Sequence, residues 1–359
     1  MSLYRGIDAG PSGQEIICDL RSDTATCPDT AMRAAMARAE VGDDCRGEDP
    51  SVKRLEQTVA KLLGQEAATF FPTATQSNLS AVMAHCQRGD EVLVGEGYHL
   101  LADEAAGASV LAGVALQPLS VGADMCVDSS EIEARIKPDD PHCPVSRLLS
   151  LENTVSGIAI PLARIRCAAE AAREHGLAIH LDGARLLNAT TELGVAPAEL
   201  GQLADTVTLC LSKGLGAPAG AVLAGNAYLM RSVRRARKIL GGAMRQAGVL
   251  AAAGLYALEN NSAGLIRDHQ LAADFSSRLR ALGCGHVRQA TNMVHFEPPL
   301  GVHEPLRVFL SEKGILIGAQ EPAMRLVFHR DVDPAAITTV IEAIEAFFED
   351  ASVLNRQPV

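Results

Sequence analysis

The chain has 359 residues, 48% of them hydrophobic and 21% charged, enough apolar material for two domains or one large domain with a small companion. Its 32 Lys and Arg against 43 Asp and Glu give a net charge of −11, which argues against nucleic acid or an anionic membrane surface as a partner. No apolar run approaches the ~18 residues of a membrane span. The N-terminus shows no basic region followed by an apolar one. Nine scattered cysteines without a C-x-x-C pair point to reduced, mostly packed thiols in a cytoplasmic protein rather than to disulfides or zinc, with Cys167 and Cys210 lying in apolar helix and strand patterns.

Asp49-Pro50 predicts a helix start, with Leu55, Val59, Leu62 and Leu63 on one face and Gly64 as the stop. Short β-rich runs follow at 67–71, 91–94, 147–151, 178–182, 206–211 and 220–225, most of them separated by helical stretches such as 163–176. Apolar strands joined by helices imply an α/β fold with a mainly parallel sheet. A long helical stretch is expected over roughly residues 226–262. Helix, strand, helix and strand then form a small C-terminal α+β domain. The predicted boundaries are an N-terminal arm over 1–25, a large domain over 26–264 and the small domain over 265–359.

Three segments carry residues of chemical interest. Ser212-Lys213 ends an apolar strand on a glycine-rich turn, where open α/β sheets bind ligands. Partial desolvation there suits an amine that forms a Schiff base with an aldehyde, although a solvated loop lysine has the same local sequence. Asp182 ends the strand AIHLD, with Arg185 three residues on. A carboxylate at a strand end can hold a pyridinium nitrogen protonated, or merely cap the next helix. Thr73-Ala74-Thr75 lies between a strand and a helix, so its backbone N–H groups and hydroxyls make either an anion site or a plain cap. No histidines or cysteines sit at metal-ligand spacing, so no metal is expected.

In this order the three segments resemble pyridoxal-phosphate enzymes of the aspartate-aminotransferase-like fold. Longer strings, DLRSDTAT (19–26), AEVGDDCRGEDPSVKRLE (39–56), HLDGARLLNA (180–189), LCLSKGLGAP (209–218) and RKILGGAMRQAGVLAAAG (237–254), are similar to signature segments of the low-specificity L-threonine aldolases, within the beta-eliminating lyase and threonine aldolase group. The resemblance implies a PLP-dependent transferase-like fold (type I) with a seven-stranded sheet in the large domain. It implies pyridoxal 5'-phosphate as cofactor and cleavage of a β-hydroxy-α-amino acid, such as L-threonine or L-allo-threonine, to glycine and an aldehyde. By the same resemblance, Lys213 forms the Schiff base, Asp182 pairs with the ring nitrogen and His99 stacks on the ring. Arg185 sits by the ring oxygen or the substrate carboxylate, and Glu104 matches a glutamate one helical turn after His99. Thr73, Ala74 and Thr75 take the place of the phosphate loop, and Arg245 reaches the phosphate from a neighbouring subunit. Ser22 and Arg325 match positions that bind the substrate carboxylate. The family pattern further implies a homotetramer or homodimer with active sites at the interface.

The sequence departs from that pattern inside its active-site segments. Val155 stands where the family has a histidine thought to contact the substrate hydroxyl, in a run about three residues shorter. Arg46 and Asp103 each stand in place of a tyrosine, and Thr73-Ala74 in place of Ser-Gly. These differences leave three alternatives beside ordinary aldol cleavage. One is an acidic β-hydroxy amino acid bound through Arg46. Another is β-elimination, racemisation or glycine transfer on the same cofactor, and the third is a cofactor-binding protein without turnover.

Overall fold

The computed structural model describes residues 15–350. The chain divides into two compact units, one spanning Pro28–Ser262 and the other combining the residues up to Cys27 with those from Ala263 onward.

The larger unit is built on a seven-stranded sheet. Its order across the sheet is Ala67–Phe71, Ala221–Gly225, Thr206–Cys210, Ala178–Gly183, Val145–Glu152, Asp90–Gly95 and Ala115–Leu119. All pairings are parallel except the two made by Ala221–Gly225, which runs against both neighbours. The six predicted strands are present with ends shifted by at most two residues. The seventh, Ala115–Leu119, is an edge strand with a buried Leu119 but an otherwise half-exposed, proline-containing sequence, which hides it from an apolar-run reading. Strands 206–210 and 221–225 are buried along their whole length, as both-face coverage by helices requires.

The helix Pro50–Leu63 starts and stops where the sequence places it. Asp49 caps it, Pro50 is its first residue, and Gly64 ends it in the left-handed conformation at φ 65°. Leu55, Val59 and Leu63 are fully buried, whereas Leu62 sits at the margin of that face. The expected continuous helix over 226–262 is in fact two, Leu229–Ile239 and Gly248–Asn260. Gly241 at φ 75° breaks the first, and a side chain on Gly242 would collide with Gln76. The intervening loop carries Arg245.

In the second unit, His286–Ala290, Met293–Glu297 and Met324–Val327 form an antiparallel sheet. Its core joins Phe275, Phe296, Leu306, Phe328, Ile337, Ile344 and Phe347, with Phe275 and Phe328 ring centroids 5.1 Å apart. Of the segment expected as an N-terminal arm, residues 1–14 lie outside the described residues, and the part after them is tied into this unit. Cys18–Asp19 pairs in parallel with Ile315–Leu316, and Leu20 donates its N–H to Leu316 and accepts from Val327. All nine cysteines are free thiols, but Cys167 lies on the solvent side of its helix rather than packing inward.

Asp49 does more than cap. Its carboxylate accepts from the N–H groups of Val52 (3.0 Å), Gly42 (3.2 Å) and Gly248 (2.8 Å) while only 1% exposed. Asp49→Ala removes an N-cap and strands two further donors, so the urea midpoint should fall by the equivalent of about 2–4 kcal/mol. An unchanged midpoint would show these bonds to be dispensable.

Candidate active site

The sheet's parallel register sets the site. Glu152, Asp182 and Thr208 are cross-strand partners, and so are Ser150, His180 and Thr206 one pleat earlier. With a period of two, all six side chains share one face, where the helix Ala74–His85 packs. Gly183 follows Asp182, and a Cβ there would run into the Thr208 carbonyl, so the strand can approach its neighbour this closely only with glycine.

Asp182 is 2% exposed and accepts from Ala184 N–H at 2.9 Å and from Asn78 Nδ2 at 2.7 Å. Lys213 lies in the turn after Thr206–Cys210, half-buried, with Gly216 at φ 79° closing that turn through an N–H bond of 2.8 Å to the Lys213 carbonyl. The lysine's charge is felt at both His99 and Glu152, which brings Lys213, His99, Glu152 and Asp182 into one electrostatic neighbourhood.

His99 opens a short helix, His99–Ala102, and donates its backbone N–H to Glu152 at 2.6 Å. Its Nδ1 lies 2.9 Å from Glu104 Oε1. The bond to Glu104 raises the imidazole pKa against the opposing effect of burial. Burial raises Glu104 in turn, and burial together with the charge of Asp182 raises Glu152. Three carboxyl groups thus crowd one imidazole. The ligand atoms of His99, Glu104 and Asp182 lie within 4.8 Å of one another, a spacing that a cation could also satisfy.

Thr73 is the N-cap of Ala74–His85 and accepts from Gln76 N–H at 3.2 Å. The cap is an ordinary one, and both Thr73 and Thr75 are exposed. Arg185 is half-buried between the Asp182 strand and the helix Leu186–Leu193. Arg46 and Arg245 are exposed and flank one carboxylate, Asp43, at 3.8 and 3.6 Å. Arg46 lines a cavity of about 580 Å³ with Lys53, Glu56, Arg234, Arg237 and Lys238. Val155 is fully buried and bridges Ile158. Ser22 caps a 3-10 turn, and Arg325 lies on Met324–Val327, both in the second unit.

Reading the sequence residue by residue misses Asn78 and His180. The signal for His180 was available, since it shares a strand face with Asp182. Asn78 shows only as a polar residue among the buried positions of its helix. The Glu104 contact makes a direct prediction for the cofactor-free protein. Glu104→Gln should lower the His99 titration midpoint, read from its imidazole proton resonances, because the contact that raises it is removed. An unmoved midpoint would assign the shift to other charges.

The sequence pattern of the beta-eliminating lyase family matches residues 19–298. A low specificity L-threonine aldolase of Escherichia coli O157:H7 is 45% identical over 329 residues, covering 92% of this chain and 98% of that protein. A probable low-specificity L-threonine aldolase 2 of Arabidopsis thaliana is 40% identical over 344 residues, covering 92% and 97%. Among solved structures, the threonine aldolase of Leishmania major superposes with a TM-score of 0.78 at 19% identity, covering 92% of this chain and 99% of that one. The serine palmitoyltransferase of Sphingomonas wittichii superposes with a TM-score of 0.76 at 17% identity, covering 95% and 89%. The chain therefore belongs to the beta-eliminating lyase family, alongside the low-specificity L-threonine aldolases.

Proposed function

We propose that the protein is a pyridoxal-phosphate-dependent aldehyde-lyase that cleaves L-threonine, L-allo-threonine or a similar β-hydroxy-α-amino acid to glycine and an aldehyde. The observation that carries the reading is the Asp182 carboxylate, fixed by Asn78 and Ala184 at a strand end, with its charge felt at His99.

The residues present suit the cofactor's chemistry. Lys213 is the amine for its aldehyde, Asp182 the partner for its ring nitrogen, and the exposed helix start at Thr73, Ala74 and Thr75 the seat for its phosphate. His99 and Arg185 would hold the ring, and Arg245 would serve the phosphate from a second copy of the chain. Bound there, pyridoxal phosphate supplies the electron sink for the pair released when Cα–Cβ breaks. Ser22, Arg185 and Arg325 are the family's carboxylate binders, and a guanidinium fork suits that task. His99 is the base. Glu104 occupies its Nδ1, so the neutral ring offers Nε2 to the β-hydroxyl proton. A proton returned to Cα completes glycine. A homodimeric or homotetrameric, cytoplasmic enzyme is part of the same reading. Among the described residues no helix is long and apolar enough to cross a membrane.

Purified protein supplied with pyridoxal phosphate and L-threonine should release glycine and acetaldehyde in equal amounts. Ammonia with a keto acid instead would mean elimination. Lys213→Ala should lower kcat on the order of 10³-fold or more. The base must be unprotonated and its pKa is raised, so kcat/KM should climb with pH through a midpoint above that of free imidazole. In Glu104→Gln that midpoint should move down. A flat profile across this range would remove His99 from the base role.

A further inference from the structure

Beneath the site runs a hydrogen-bonded chain that the reaction itself does not use. Asn78 Nδ2 donates one hydrogen to Asp182 Oδ2 at 2.7 Å and one to Glu104 Oε1 at 2.8 Å. Its carbonyl oxygen faces His180 Nε2 at 3.1 Å. His180 Nδ1 meets Thr206 Oγ1 at 2.9 Å, and the same hydroxyl meets His85 Nε2 at 3.0 Å. Asn78, His180 and Thr206 are all buried.

The direction of every donor in this chain follows from its two ends. Carboxylates only accept, so the Asn78 amide nitrogen must face Asp182 and Glu104 and its oxygen must face His180. That oxygen can only accept, so His180 carries its hydrogen on Nε2. Complete burial pushes the His180 pKa down to about 4, keeping the ring neutral and leaving Nδ1 bare. Thr206 therefore donates to His180 and accepts from His85 Nε2–H. Burial likewise pushes His85 down to about 4. The tautomers are thus assigned by their partners. Every bond points the same way, toward the two carboxylates, and bonds aligned head to tail strengthen one another.

The residues have one geometric origin. Asn78 and His85 lie seven positions apart, two turns of the same helix, over the strand pair that carries His180, Asp182 and Thr206. The helix that begins at Thr73 for the phosphate therefore also grips Asp182 one turn later.

We propose that Asn78 is a positioning residue for the cofactor, its amide oriented by His85, Thr206 and His180 so that it clamps Asp182 toward the pyridine nitrogen and holds Glu104 against His99. The proposal rests on the assignment of Asp182 to the ring nitrogen. The charged and titratable groups around the clamp are His99, Glu104, Glu152 and Lys213 on one side and His180, His85 and Asp205 behind it.

The test strips the purified protein of cofactor and titrates it with pyridoxal phosphate, following visible absorbance, for Asn78→Asp, Asn78→Ala, Thr206→Val and Asp182→Asn. Asn78→Asp keeps the shape but removes both donated hydrogens. It should weaken cofactor binding about 10–100-fold, as loss of an outer hydrogen-bond partner does at metal sites, and at least as much as Asn78→Ala. Thr206→Val, two hydrogen bonds behind Asn78, should act in the same direction but less. With donors gone the carboxylates accept protons more readily, so the pH at which acid releases half the cofactor should rise in the Asn78 variants. A space-filling role for Asn78 predicts instead that Asn78→Asp binds like the parent while Asn78→Ala does not. That result, or parental affinity and pH dependence in both Asn78 variants, overturns the proposal. If the Asn78 variants fail to fold, Thr206→Val decides, and parental affinity in it overturns the proposal. Asp182→Asn separates the two levels. Loss of affinity there with none in the Asn78 and Thr206 variants sinks only the clamp. Parental affinity in Asp182→Asn sinks the ring-nitrogen assignment itself.

Discussion

A buried carboxylate next to two others is the constraint on which this site depends. Asp182 is almost wholly enclosed, with Glu152 as its direct cross-strand neighbour and Glu104 sharing the same asparagine donor. Desolvation and mutual repulsion both oppose charge there, and burial raises Glu104 and Glu152 accordingly. The protein answers with donors: a backbone N–H from Ala184, the amide of Asn78 and the ring of His99. A cationic group facing these carboxylates would answer the remaining need.

Parallel pairing makes that arrangement possible. In a parallel sheet all strand ends of one polarity gather along one edge, so Glu152 and Asp182 lie side by side and the Lys213 turn follows from the neighbouring strand. One helix start then emerges beside them, because the Ala67–Phe71 strand leads straight into Ala74–His85. A helix start, a buried carboxylate and a lysine turn are all set by the ends of the sheet's strands. Gly183 lets backbone approach backbone, and Gly216 at φ 79° lets the Lys213 turn close.

Much of this was legible in the sequence. The cap and stop of Pro50–Leu63 are written in Asp49, Pro50 and Gly64, and the central strands in runs such as TVTLC, whose apolar content leaves them no exposed face. The edge strand Ala115–Leu119 was not, since its sequence is that of a half-solvated segment and only its neighbour's hydrogen bonds make it a strand. The break between Leu229–Ile239 and Gly248–Asn260 was also missed, because paired glycines in a helical pattern cost only about 1 kcal/mol each and read as tolerable.

The sequence by itself singled out Lys213, Asp182 and the Thr73–Thr75 turn by their places at the end of a strand or start of a helix, and His99 through the family resemblance. Only the tertiary structure decided how those groups are supported. Asn78 lies 104 residues from Asp182 and 26 from Glu104, and His85 lies 121 from Thr206. No local pattern relates such positions. Their hydrogen bonds exist because sheet register and helix packing bring them to one face, and it is burial on that face that makes each bond obligatory.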